Sequence, residues 1–157
     1  MKKLVLASVL AICSASSVFA ADYLSNLSID TQGAVRHVSI DGPIQYGAGL
    51  NVNYSFNKYV TGYVRALSYS DWKHSAVDEG GLGIWATVLE SANKGLSLNV
   101  VGGLNRDFES EDWGFGLGLG PELKLSKHVS VFAAAEVRTW IKQDKDILTT
   151  FGFNFHF

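Results

Sequence analysis

Cysteine is almost absent from this chain. The one cysteine, Cys13, falls within the first twenty residues, so the chain beyond residue 20 has no disulfide, no thiol nucleophile and no cysteine metal ligand. Long apolar runs are also missing: after residue 20 no segment is long and charge-free enough to form a membrane helix, which needs about 20 apolar residues. Basic charge is scarce as well. Setting aside Lys2 and Lys3, 11 of the 13 basic residues remain against 15 acidic ones, a formal charge of −4. That balance gives no electrostatic footprint for nucleic acid. The histidines His37, His74 and His156 stand alone, without a partner at a metal-ligand spacing. The glycine-rich run from Gly114 to Gly120 lacks the following lysine and helix of a phosphate loop. No cofactor or metal is expected.

The N-terminus reads as a secretory signal. Lys2 and Lys3 precede an apolar stretch from Leu4 to Ile12, and Val18, Phe19 and Ala20 place small residues at the third and first positions before Ala21. Cleavage is expected between Ala20 and Ala21. The apolar run is too short for a spanning helix. Ile12 argues against lipid attachment at Cys13, because lipoprotein signals resemble one another in having a small residue there. Removing 20 of the 157 residues leaves 137, a length suited to one domain covering residues 21–157.

That domain is written in a period of two. At the C-terminus Phe151, Phe153, Phe155 and Phe157 alternate with Gly152, Asn154 and His156. From Ile44 to Phe56, seven apolar or aromatic residues oppose Gln45, Gly47, Gly49, Asn51, Asn53 and Ser55. From Trp113 to Leu125 the outer set includes Phe115, Leu117, Leu119 and Leu123, against Gly114, Gly116, Gly118, Gly120, Glu122 and Lys124. Glycine weakens a strand interior unless crowding or bending calls for it, and the inside of a narrow barrel supplies both. His128 to Ile141 turns Ser130, Phe132, Glu136, Arg138 and Trp140 to the same side. Leu96 to Leu104 and Gly80 to Glu90 alternate likewise. In Tyr59 to Ser70 both faces hold apolar residues, and Arg65 is assigned inward because an arginine facing mid-bilayer lipid costs about 2 to 4 kcal/mol. An eighth strand is expected between Tyr23 and Asp41, with a bulge around Thr31 to Gly33 where the alternation breaks.

The connections alternate too. Asn57 with Lys58, Ser91 to Gly95, and Ser126 with Lys127 are short polar turns. Asp71 to Glu79, Arg106 to Asp112 and Lys142 to Asp146 are longer and charged. One side with short turns and one with longer links is the asymmetry of bacterial membrane barrels. Together these features predict an all-β fold, an eight-stranded antiparallel up-and-down transmembrane β-barrel. A soluble exported β-sandwich is the alternative, since alternation alone does not name the apolar partner.

The residues resemble the small outer-membrane barrels, the group that includes the OmpA transmembrane domain and the OmpX and opacity-type proteins. Thr150, Gly152, Phe155 and Phe157 are similar to that group's terminal insertion signal. The resemblance implies location in the outer membrane of a Gram-negative bacterium, contact with its lipid, and recognition of the last strand by the barrel-assembly machinery. A monomer is expected, with both ends of the barrel domain in the periplasm. Any external ligand is unidentified.

An eight-stranded barrel is just wide enough for side chains to fill, so Arg65, Glu122, Lys124, Glu136 and Arg138 are expected to form an ion-paired network inside, with Arg65 and Glu136 at mid-barrel depth and Glu122 and Lys124 nearer the periplasm. Tyr69, Trp72 and Trp113 fall near outer strand ends, where amphipathic rings favour the membrane interface. His128, Ser130 and Glu136 contain the parts of a hydrolase. Eight residues at about 3.3 Å each put Glu136 some 25 Å from His128 along the strand, so no active site is expected there. Three functions remain: a structural or surface-interaction protein with a largely plugged lumen, a narrow channel for small or apolar solutes, and a lipid-modifying enzyme.

Overall fold

A computed structural model describes residues 25–38, 42–69, 77–91 and 95–157. The expected signal segment, its cleavage point at Ala20 and Ala21, and Tyr23, Trp72 and His74 lie outside the described residues. Eight strands follow one another around a closed antiparallel barrel: β1 Leu27–Val38, β2 Ile44–Asn57, β3 Val60–Tyr69, β4 Glu79–Glu90, β5 Leu96–Asp107, β6 Asp112–Lys124, β7 Val129–Trp140 and β8 Asp146–His156. Closure comes from β8 pairing with β1, from Ser28 opposite His156 to Val38 opposite Asp146. A closed sheet leaves no unpaired edge.

The end holding the start of β1 and the finish of β8 is called proximal, the other distal. Two proximal turns, β2–β3 and β6–β7, are tight and locally capped. Asn57 Oδ1 accepts the N–H groups of Tyr59 and Val60 at 2.8 and 3.0 Å, and Ser126 Oγ accepts those of His128 and Val129 at 3.1 Å. Short polar side chains favour turns through such bonds. On the distal side, Asp107 Oδ1 caps the β5–β6 turn by accepting from Glu109 and Ser110, each at 3.0 Å.

The bulge expected at Thr31 to Gly33 is not there. β1 keeps one unbroken register with both β2 and β8. Ser28, Asp30, Gln32, Ala34 and Arg36 all turn inward, and Leu27, Ile29 and Val35 turn outward. Gly33 lies on the outward side under the Phe151 ring, where a Cβ would come within 2.7 Å of the ring. What interrupts the apolar pattern in sequence is therefore the place where a neighbouring aromatic covers the strand, not an inserted residue. The register does shift between Ser55 and Asn57 of β2, and between Thr87 and Leu89 of β4.

The two faces of the sheet differ sharply. Val64, Leu82, Leu117, Val137 and Phe151, from five strands, are each more than half exposed on the outside. Arg65, Glu136 and Arg138 are at most 2% exposed on the inside. Apolar side chains are thus turned out all the way round, while the charged groups share the interior with a smaller buried apolar set that includes Leu67, Val101 and Leu148. Aromatics cluster at both margins of the apolar belt, with Phe56, Tyr59, Phe155 and Phe157 proximal and Tyr46, Phe108 and Trp113 distal.

Four strands run further distally than their apolar pattern suggests. Glu79, Asp107, Asp112 and Asp146, expected in charged links, are strand residues with buried side chains.

Candidate functional site: the barrel interior

Proceeding from the distal end, the first layer of the interior is a girdle of charges drawn from five strands. Arg36 on β1 donates through Nε to Asp146 Oδ2 at 2.7 Å and through Nη1 to Asp107 Oδ2 at 3.2 Å. Arg138 on β7 donates Nε and Nη2 to the two Asp146 oxygens at 2.7 and 2.8 Å, and Nη1 to Glu79. Asp146 accepts a further bond from Trp140 Nε1 at 2.9 Å, and Tyr69 Oη donates to Glu79 Oε2 at 3.1 Å. The Arg36 guanidinium also lies 5.2 Å from the centre of the Trp140 ring and 5.7 Å from that of Tyr69. Charges buried this deeply persist only when paired and hydrogen-bonded, and here Asp146 is the hub.

A second layer holds one ion pair. Arg65 Nη2 lies 2.7 Å from Glu136 Oε1, close but off the hydrogen-bond axis, and both side chains are fully buried. Arg65 Nε and Nη1 have no acceptor among the described residues. The Tyr63 ring stands 4.9 Å from this guanidinium. Room for the layer comes from β6. A Cβ on Gly116 would sit 3.1 Å from Glu136 Oε2 and 3.2 Å from Arg138 Cγ, so glycine faces the bulky polar pair across the sheet.

Below that the interior turns aromatic and then open. Trp85 meets Tyr63 and Phe132 edge to face, with centroids 6.5 and 5.7 Å apart. Beneath them a cavity of about 550 Å³ opens toward the proximal end, with Asp30, Asn53, Asn99, Glu122 and Asn154 in its wall. Asp30 accepts from Asn51 Nδ2 at 3.0 Å and Asn53 Nδ2 at 2.8 Å, and Gln32 Nε2 donates to Asn51 Oδ1 at 3.0 Å.

The five residues expected to share one lumen network are distributed over this column. Arg65 meets Glu136, and Arg138 belongs to the girdle above them. Glu122 accepts instead from Ser130 Oγ near the proximal mouth, with His156 Nε2 at 3.9 Å, and Lys124 stands exposed at that mouth. A single network of all five is therefore replaced by a stack of separate layers. Tyr69, expected at the membrane interface, is instead 3% exposed inside the girdle, because its strand parity matches that of Arg65. Trp113 does face outward near the distal rim, under the Arg106 guanidinium at 5.1 Å. In β8, Thr150 and Gly152 face inward, whereas Phe155 and, just beyond the strand, Phe157 are exposed.

Ser130 does have a histidine and an acid beside it, but not those of its own strand. His156 Nε2 is 3.2 Å from Ser130 Oγ, and Glu122 contacts the same hydroxyl. A relay would hold the acid against the far nitrogen of the imidazole. Here serine and acid share one side of the ring, and Ser130 is fully buried.

Sequence reasoning missed Asp30, Arg36, Glu79, Asp107 and Asp146. Parity carried the signal: each lies an even number of positions from an inward residue of its strand, Asp146 from Thr150, Glu79 from Trp85 and Asp107 from Asn105.

No family model matches the sequence, and no curated protein matches it at a significant level. Among solved structures the fold is similar to that of Neisserial surface protein A, with a TM-score of 0.56 over 83% of this chain and 96% of that one, at 14% identity. The likeness is one of fold.

Proposed function

We propose that the protein is an integral outer-membrane barrel of a Gram-negative bacterium, with a structural or surface-interaction role that involves no catalysis. The observation that carries this reading is the inversion of the two faces: a continuous apolar belt outside and paired charges inside. Water outside such a belt would leave a large exposed apolar surface unsatisfied. Lipid satisfies it, and a closed barrel is one of the two structures whose backbone is fully paired in lipid. The margins of aromatic side chains match the interfacial girdles of such barrels. The likeness in fold to a protein named Neisserial surface protein A favours the same placement.

In this arrangement the proximal turns face the periplasm and the distal links face outward. The barrel inserts as a monomer, with Thr150, Gly152, Phe155 and Phe157 offered to the assembly machinery. The girdle and the Arg65–Glu136 layer occlude the interior, which supports a plugged lumen over the alternative of a narrow conduit.

The sequence has no cysteine after Cys13, so single cysteines report topology cleanly. Glu109→Cys on the distal turn should react with an impermeant maleimide on intact cells, and Lys127→Cys only after the outer membrane is permeabilised. The opposite pattern refutes the orientation, and labelling of a soluble periplasmic species refutes the membrane assignment. The refolded barrel should carry no steady current across a planar bilayer. A steady current would favour the conduit.

A further inference from the structure

Glu79, Asp107, Glu136 and Asp146 each meet a guanidinium inside the barrel. Asp30 does not. It is 3% exposed, its oxygens are held only by the amides of Asn51 and Asn53, and it makes no ion pair among the described residues. A buried carboxylate without a counter-charge is costly. Arg65 is engaged by Glu136, and Lys124, though in the wall of the same cavity, makes no ion pair with Asp30 among the described residues; open acceptors lie nearby. Among the described residues, Asn53 Oδ1 and Asn154 Oδ1 lack a donor, as do Gln32 Oε1 and Thr150 Oγ1 further along the same inner surface. Asn154 is the register partner of Asp30 on β8, and Asn53 sits opposite Ser28 on β2, one inward position away. Asp30, Asn53 and Asn154 all line the cavity that opens at the proximal end, so the group can be reached from solution.

One carboxylate among neutral carbonyl oxygens is the ligand set of a hard cation. A single negative charge favours a monovalent one. We propose that the floor of the proximal cavity binds an alkali cation, sodium or potassium, with the Asp30 carboxylate supplying the charge and the Asn53 and Asn154 carbonyl oxygens completing the shell with water. The ion is the missing counter-charge of the interior, and it links barrel stability to the ionic composition on the proximal side.

The test is urea unfolding of the whole barrel, folded in detergent micelles, in sodium or potassium chloride against choline chloride at equal ionic strength. A cation at about 100 times its dissociation constant should raise the folding equilibrium constant about 100-fold, whereas choline is too large to enter the shell. Asp30→Asn should abolish the difference between salts and be more stable than the parent in choline. Asn154→Ala, which leaves the charge in place, should reduce the alkali response and serves if Asp30→Asn does not fold. Sodium-23 NMR should show line broadening by the parent barrel that potassium reverses and Asp30→Asn lacks. Equal midpoints in alkali and choline salts overturn the proposal, as does an undiminished alkali response in both variants. A parent barrel whose stability responds to pH but to no alkali ion carries a proton on Asp30 instead, and that too overturns it.

Discussion

Replacing Glu136 with glutamine tests the ion-pair layer most directly, because the pair has no redundancy. Glu136 is the one carboxylate within 4 Å of Arg65 among the described residues, and neither side chain reaches solvent. At an effective dielectric constant of about 20, unit charges 2.7 Å apart attract by about 6 kcal/mol. Losing one partner of a buried pair typically costs about 3 to 5 kcal/mol, since the other charge is left buried and uncompensated. Glu136→Gln should lose that much, read as a drop in the urea midpoint of the compact form that migrates fast on unheated gels. Arg65→Met combined with Glu136→Met removes both charges, and such replacements are often neutral or stabilising by about 1 to 4 kcal/mol. The double variant should therefore recover most of what the single one loses. A Glu136→Gln barrel within about 1 kcal/mol of the parent, or a double variant as unstable as the single, would refute the reading that this charge pair stabilises only as a pair.

The girdle is redundant where the inner pair is not, so Glu79→Gln should cost less than Glu136→Gln, about 1.5 to 3 kcal/mol for a hydrogen bond to a charged group, with Arg138 still held by Asp146; the same unfolding assay ranks the two. Asp146→Ala removes one partner from each of two arginines and from one indole at once and should exceed both. On the outside, Leu117→Arg should destabilise a barrel refolded in lipid by about 2 to 4 kcal/mol, whereas Leu125→Arg at the proximal margin should cost about 0 to 1 kcal/mol; equal penalties would place the lipid belt wrongly. Gly116→Ala should cost about 1 to 3 kcal/mol by overpacking the ion pairs. Gly102→Ala on the outer face, whose Cβ meets nothing closer than 3.5 Å, should be neutral or gain up to about 1 kcal/mol in denaturant titration.

The strand count, the meander order and the direction of Arg65, Glu136 and Arg138 were legible because a period of two is a local property. Val64, Leu117 and Phe151 announce the outer face whatever lies across the barrel. The ion pairs were not legible to the same degree, since partners come from strands distant in sequence: Arg36 and Asp146 are 110 residues apart. Charge itself misled the reading at the distal end. Glu79, Asp107 and Asp146 look like loop residues when acidity is taken as a mark of solvent, yet in a barrel with an apolar exterior the inward positions are where charge belongs. Tyr69 misled for the reverse reason, an aromatic at a strand end being read as an interface anchor although its parity already pointed inward.

Glycine distribution ties the two faces together. The run on β6 has no explanation within β6, where glycine only weakens the strand. It gains one from β7, whose inward Glu136, Arg138 and Trp140 need the space that Gly116 and Gly114 leave opposite them. Across β3, β4 and β5 the same relation holds, since a Cβ on either Gly83 or Gly103 would lie 2.6 Å from Tyr63 Oη. In these strands large polar or aromatic side chains therefore lie against glycines at matched depth. The narrow interior is filled by pairing one bulky residue with one empty position, so the small residues on one strand specify which charges their neighbours can bury.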